Sequence, residues 1–254
     1  LSRARTIVGA TCAALLAAGC VARRVYDVPR AGVAPVVDGV LDDSVWERAP
    51  RSERFVDIEG DSAPRPRLAT HVRMLWDDDA LYVAAEIEEP DVWATVTGHD
   101  EVVFHDDDFE VFLDPGADAL DYLEIEVNAF GTVWDLWLPR PYGDGGGARS
   151  EWESGARVAV HVDGTIGEPD DRDRGWTVEM AIPWRRLSVA GVERPPRRGE
   201  AWAANFARVD WADRPRPPWN AVPPGTPHSN WAWSPPGIVD MHRPERWGVI
   251  RFSD

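Results

Sequence analysis

The sequence has no lysine and only two cysteines in 254 residues. Both cysteines, Cys12 and Cys20, lie near the N-terminus. The rest of the chain therefore closes no disulfide, and its stability must come from a packed core or from bound metal. Basic charge is scarce: 27 arginines face 44 acidic residues, for a formal net charge of −17. A field of that sign repels phosphate backbones, which excludes nucleic acid as an expected partner. It is also not drawn to an anionic bilayer surface. The nucleotide P-loop, the dinucleotide glycine fingerprint, the His-Glu zinc motif and the Gly-x-Ser-x-Gly elbow are all absent.

The N-terminus carries an address. Arg3 and Arg5 precede an uncharged run from Ile7 to Ala18, and Leu16-Ala17-Ala18-Gly19-Cys20 follows. A basic start, a short apolar stretch and small residues form a secretory signal. The run is too short for a membrane-spanning helix of roughly 20 residues. Small residues before Cys20 resemble a lipobox, so residues 1–19 are expected to be removed and Cys20 lipidated. An ordinary cleaved signal and a buried helix are the alternatives. Val21, rather than Asp, follows the cysteine, which points to outer-membrane sorting of an exported, lipid-anchored protein. Loss of Arg3 and Arg5 would take the charge from −17 to −19. Residues 20–254 are expected to form a single all-β domain, as a monomer.

Period-two alternation recurs along the chain. Val72, Met74 and Trp76 alternate with His71, Arg73 and Leu75; Asp77-Asp78-Asp79 then turns the chain into Leu81, Val83, Ala85 and Ile87. That pattern predicts a β-hairpin. Phe109, Val111 and Leu113 form another face, as do Leu123, Ile125 and Val127, Trp176 to Ile182, Trp202 to Phe206, and a closing strand from Trp247 to Phe252. Short strands between Gly, Pro and Asp predict a jelly-roll-like sandwich of antiparallel strands with long aromatic-rich loops. Helical signals are few: one turn capped near Asp43-Ser44, and one opened by Pro183. The proline-rich stretch 213–229 reads as a loop.

Fourteen tryptophans exceed what a core of this size needs. Trp46, Trp76, Trp176, Trp202 and Trp247 fit core positions. Trp93, Trp134, Trp137, Trp211, Trp219, Trp231 and Trp233 lie in or beside polar segments. An exposed indole suits the C–H face of a pyranose, with neighbouring polar groups bonding its hydroxyls. The aspartates of 105–121, namely Asp106, Asp107, Asp108, Asp118 and Asp121, are dense enough to suggest structural calcium, which takes six to eight oxygens. Solvated turns are the plainer reading of the same residues. Glu110, Glu124 and Glu126 keep open a glycosidase or lyase, which needs two carboxylates flanking a bond.

Several motifs in order resemble a family 9 carbohydrate-binding module of the stand-alone bacterial type, over nearly all of residues 25–252. They are Pro35-Val36-Val37-Asp38-Gly39 with Leu41-Asp42-Asp43 and Trp46, Val72 to Asp77, Asp108-Phe109-Glu110-Val111-Phe112-Leu113-Asp114, Trp176 to Trp184, and Trp247-Gly248. The resemblance implies a β-sandwich with bound calcium that holds a glycan end between two tryptophans. Trp93 matches one ring and Glu110 a sugar-contacting Glu; the second ring falls on Met241, and Glu126 stands where a contacting Arg is found. Trp231 and Trp233 are candidates for the second ring. The ligand site is accordingly expected among Trp93, Asp100, Glu110, Glu126, Asn128, Arg208, Trp231, Trp233 and His242, binding an oligo- or polysaccharide without catalysis and so supporting polysaccharide capture or degradation. A b-type haem held by Met74, Met241, His71 or His242 is the remaining alternative.

Overall fold

A computed structural model describes residues 23–168, 170–211 and 228–254. The expected signal segment with Cys20, and Trp219, lie outside the described residues. Twelve strands follow in chain order: β1 (Val25–Val28), β2 (Val56–Asp57), β3 (Thr70–Trp76), β4 (Ala80–Glu88), β5 (Asp108–Asp114), β6 (Tyr122–Asn128), β7 (Val133–Leu138), β8 (Arg157–Asp163), β9 (Gly175–Pro183), β10 (Ala201–Trp211), β11 (His228–Ala232) and β12 (Gly248–Phe252). They form two sheets, as the alternation predicts. The larger runs β1-β12-β10-β5-β6-β7, with β11 sharing the edge of β10 and β2 beyond it; the smaller runs β3-β4-β9-β8. The pairing departs from purely antiparallel at one point, where β1 runs parallel to β12.

The β3–β4 hairpin forms where the sequence places it, with Trp76 opposite Leu81. Asp77 makes the turn. Its Oδ1 accepts from the N–H groups of Asp79 at 2.8 Å and Ala80 at 3.0 Å, and its Oδ2 accepts from the Tyr82 hydroxyl at 2.8 Å. A short side chain that satisfies the turn's own amides is why Asp is favoured there.

Alternation then sorts side chains between two faces. Phe109, Val111 and Leu113 of β5, Leu123, Ile125 and Val127 of β6, and Trp202, Ala204 and Phe206 of β10 point into the sandwich. They meet Val72 and Met74 of β3, Leu81 and Val83 of β4, and Val178 and Met180 of β9. Each such side chain contributes about 1.5–3 kcal/mol on burial. The intervening residues of β5, β6 and β7 project from the opposite face of the large sheet. There Phe112, Tyr122, Leu136, Leu138 and Trp247 form a second apolar cluster, and there the polar residues discussed below collect.

Both helical signals become 3-10 turns, Ser44–Arg48 and Trp184–Ala190. Asp43 precedes the first without capping it; its carboxylate accepts from the Val36 N–H at 2.7 Å instead. The expected loop 213–229 ends early, because His228 and Ser229 already pair with Trp211 and Asp210 as the start of β11.

Candidate functional site

Register brings three glutamates together. Glu110 lies opposite Glu126, and Phe112 opposite Glu124. On the next strand Glu126 faces Trp134 and Glu124 faces Leu136. All six therefore share the face turned away from the sandwich core, and they floor a cavity of about 500 Å³. Its walls are Phe104, Tyr142, Trp211 and the segment 239–242. That volume falls within the usual range of small-ligand sites.

The three carboxylates are buried, and one oxygen of each lies within 4.8 Å of the others. Burial pushes Glu110 up to about 8. Burial, then the Glu110 charge, raises Glu124 well above the ordinary range. Glu126 is raised by burial and then by Glu124, opposed by the Phe104 N–H that donates to its Oε2 at 3.0 Å. His242 closes one side. Burial lowers it to about 4, so the ring is neutral, with Nδ1 at 3.1 Å from the Tyr122 hydroxyl.

Two buried polar atoms of this cavity have no hydrogen-bond partner: the acceptor Glu124 Oε2 and the donor Trp134 Nε1. Orphaned buried groups are costly and rare in folded proteins. A ligand with both donor and acceptor character satisfies this pair.

Residues 37–216 match the family described as carbohydrate family 9 binding domain-like. The chain belongs to that family. It superposes on a family 9 module from Caldicellulosiruptor kristjanssonii in complex with cellotriose, at 18% identity, over 91% of this chain and 94% of that one, with a TM-score of 0.60. A putative carbohydrate-binding protein from Bacteroides uniformis is similar at 18% identity, over 91% of this chain and 100% of that one, with a TM-score of 0.67. Exoglucanase XynX of Acetivibrio thermocellus is 24% identical over 155 residues, 61% of this chain. The chain spans 12% of the length of that curated relative.

Within this family 9 domain, Glu110, Glu126 and His242 come together at the cavity, with Met241 beside them. The other residues expected at the site lie elsewhere. Trp93 was expected as an exposed ring and is 4% exposed, so it offers no face to a ligand. Trp231 and Trp233 are buried in the main core. Arg208 is fully buried on the inner face, where it pairs with Glu89 and Asp210, donates to the Glu88 carbonyl and lies beneath the Trp231 ring. Asn128 is a structural bracket: its side chain bonds the Val96 carbonyl, Asp106, and the N–H groups of Phe130 and Thr132. Asp100 adopts a left-handed conformation with φ of 63° beside His99, which lines another cleft.

The five expected metal ligands do not form one set. Asp106 accepts from Thr95, Val96 and Asn128. Asp107 accepts from the Trp211 N–H, and Asp108 from the Val209 N–H. Asp118 caps Leu120, and Asp121 accepts from the Trp137 indole. Each is taken up by a different amide or indole donor, so the set does not fit a single calcium ion. The haem ligands fare similarly. His71 and Met74 sit on opposite faces of β3, with Met74 in the inner core and Met241 against the outer cluster.

Sequence reasoning missed Phe104, Tyr142 and His228, and it weighed Trp134 and Trp211 only as two of several loop rings. A period-two signal was available for Trp134, since Trp134, Leu136 and Leu138 alternate. The other four come from separate segments and carry no local pattern.

Proposed function

We propose that this chain binds carbohydrate without cutting it, holding a glycan in the cavity above Glu110, Glu124 and Glu126. The carrying observation is the orphaned pair: a donor, Trp134 Nε1, and an acceptor, Glu124 Oε2, buried in one aromatic-walled cavity. A sugar hydroxyl donates and accepts at once, and so answers both. Phe104, Trp134, Tyr142 and Trp211 supply apolar faces for the C–H side of a ring. The complexes of the C. kristjanssonii module with cellotriose and with glucose make these two sugars the first probes.

The arrangement of the carboxylates favours binding over hydrolysis. Glycosidases set two carboxyl groups on either side of the scissile bond. Here Glu124 and Glu126 share one strand and Glu110 is the cross-strand neighbour of Glu126, so all three lie on one floor. We further propose that a lipid at Cys20 tethers the domain to the membrane, where it captures polysaccharide for degrading enzymes. Calorimetric titration of glucose and cello-oligosaccharides into wild type and Trp134→Phe tests the binding. Saturable binding without product, weakened by the variant, supports the reading; release of cleaved product or binding indifferent to Trp134 opposes it.

A further inference from the structure

We infer that the glycan selected by this cavity carries a cation: an amino sugar whose free ammonium group sits against Glu110, Glu124 and Glu126. The inference rests on the reading of the cavity as the glycan site.

The way the fold treats its other buried carboxylates sets the contrast. Glu179 accepts from the Trp46 indole and from the N–H groups of Asp38 and Gly39. Glu89 and Asp210 have Arg208 between them. Asp106 has four donors. The three glutamates of the cavity receive, among the described residues, one backbone N–H, from Phe104 to Glu126. Among the described residues no arginine lines the cavity, and the basic side chains there are His228 and His242. His242 is buried against Phe112 and the Tyr122 hydroxyl. An ammonium ligand would therefore meet carboxyl groups that no described side chain neutralises, and its charge would favour their ionised form.

An ammonium group fits that floor better than a metal ion. It offers three N–H donors, one for each of three carboxylates whose oxygens lie within 4.8 Å of one another. Calcium takes six to eight oxygens, whereas most of the remaining lining is apolar or aromatic, with the rings of Phe104, Trp134 and Trp211 among it. Such rings attract an organic cation through their faces and pack on the body of a pyranose.

The test compares oligomers of glucosamine, their N-acetylated counterparts and cello-oligosaccharides of equal length, at about pH 6.5, where a sugar amine holds its proton. Calcium chloride alone is a further arm. The free amine is expected to bind about tenfold or more tightly than either neutral series. In Glu110→Gln/Glu124→Gln that ratio should fall towards one, because amides keep the shape and remove the charge. Equal or weaker binding of the amine, or calcium binding at the glutamates without amine preference, overturns the inference and leaves the glycan reading standing. A preference that survives in the double variant comes from the overall negative charge and also overturns it. Failure of all three glycan series overturns the glycan reading itself.

Discussion

Glu110 and Glu126 face each other across β5 and β6, both buried and with no arginine beside them among the described residues. Two such carboxyl groups at cross-strand neighbours oppose folding once both are ionised. The pairing is intelligible if the position is held for a ligand, and it makes stability depend on pH in a definite direction.

Glu110 is raised from 4.5 to about 8. A carboxyl whose pKa is higher in the folded state stabilises fully below its unfolded value and loses that contribution as pH rises towards the folded one. Melting temperature should therefore fall between about pH 4.5 and pH 8 through this group. Glu110→Gln should flatten that part of the profile and gain about 1–3 kcal/mol at pH 8. A variant profile parallel to wild type contradicts the assignment.

Trp93 and Trp211 separate packing from binding. Trp93 is buried, so Trp93→Ala should cost about 3–5 kcal/mol in denaturant unfolding. Trp211 walls the cavity and is only partly buried, so Trp211→Ala should weaken glycan affinity by roughly tenfold with a smaller loss of stability. The reverse ordering would move the site.

Arg208→Met should be strongly destabilising, by about 3–5 kcal/mol, because it leaves Glu89 buried without its cation and Asp210 with Arg67 alone. Chemical denaturation measures this. A loss of sugar binding at unchanged stability would restore Arg208 to the ligand site.

The anchor is tested by fractionation. Cys20→Ser should release the protein from membranes and abolish labelling by fatty acid. Unchanged fractionation would contradict lipidation.

The sandwich was legible because alternation is written into single strands: Phe109, Val111 and Leu113 declare an inner face without help from the rest of the chain. Glu110 and Glu126 were legible for the same reason, as the polar alternates of those strands. Of the strands left unread, β8 alternates plainly through Val158, Val160 and Val162 and was overlooked, while β7 and β11 have weaker local signals. β11 opens His-Ser-Asn, and β7 is covered on both faces, so neither shows a clean apolar and polar alternation. Trp93 and Arg208 misled because burial is a tertiary property. The sequence shows an indole in a polar loop and an arginine on a strand, but not that Arg208 points inward to meet Glu89, 119 positions away.

The most direct test is a crystal soaked with glucose, cellotriose and glucosamine in turn. The account predicts a sugar ring against Trp134 and Phe104, with a hydroxyl or amine within hydrogen-bonding distance of Trp134 Nε1 and Glu124 Oε2. A sugar bound elsewhere, for instance in the separate cleft beside His99 and Asp135, with this cavity empty, would contradict it.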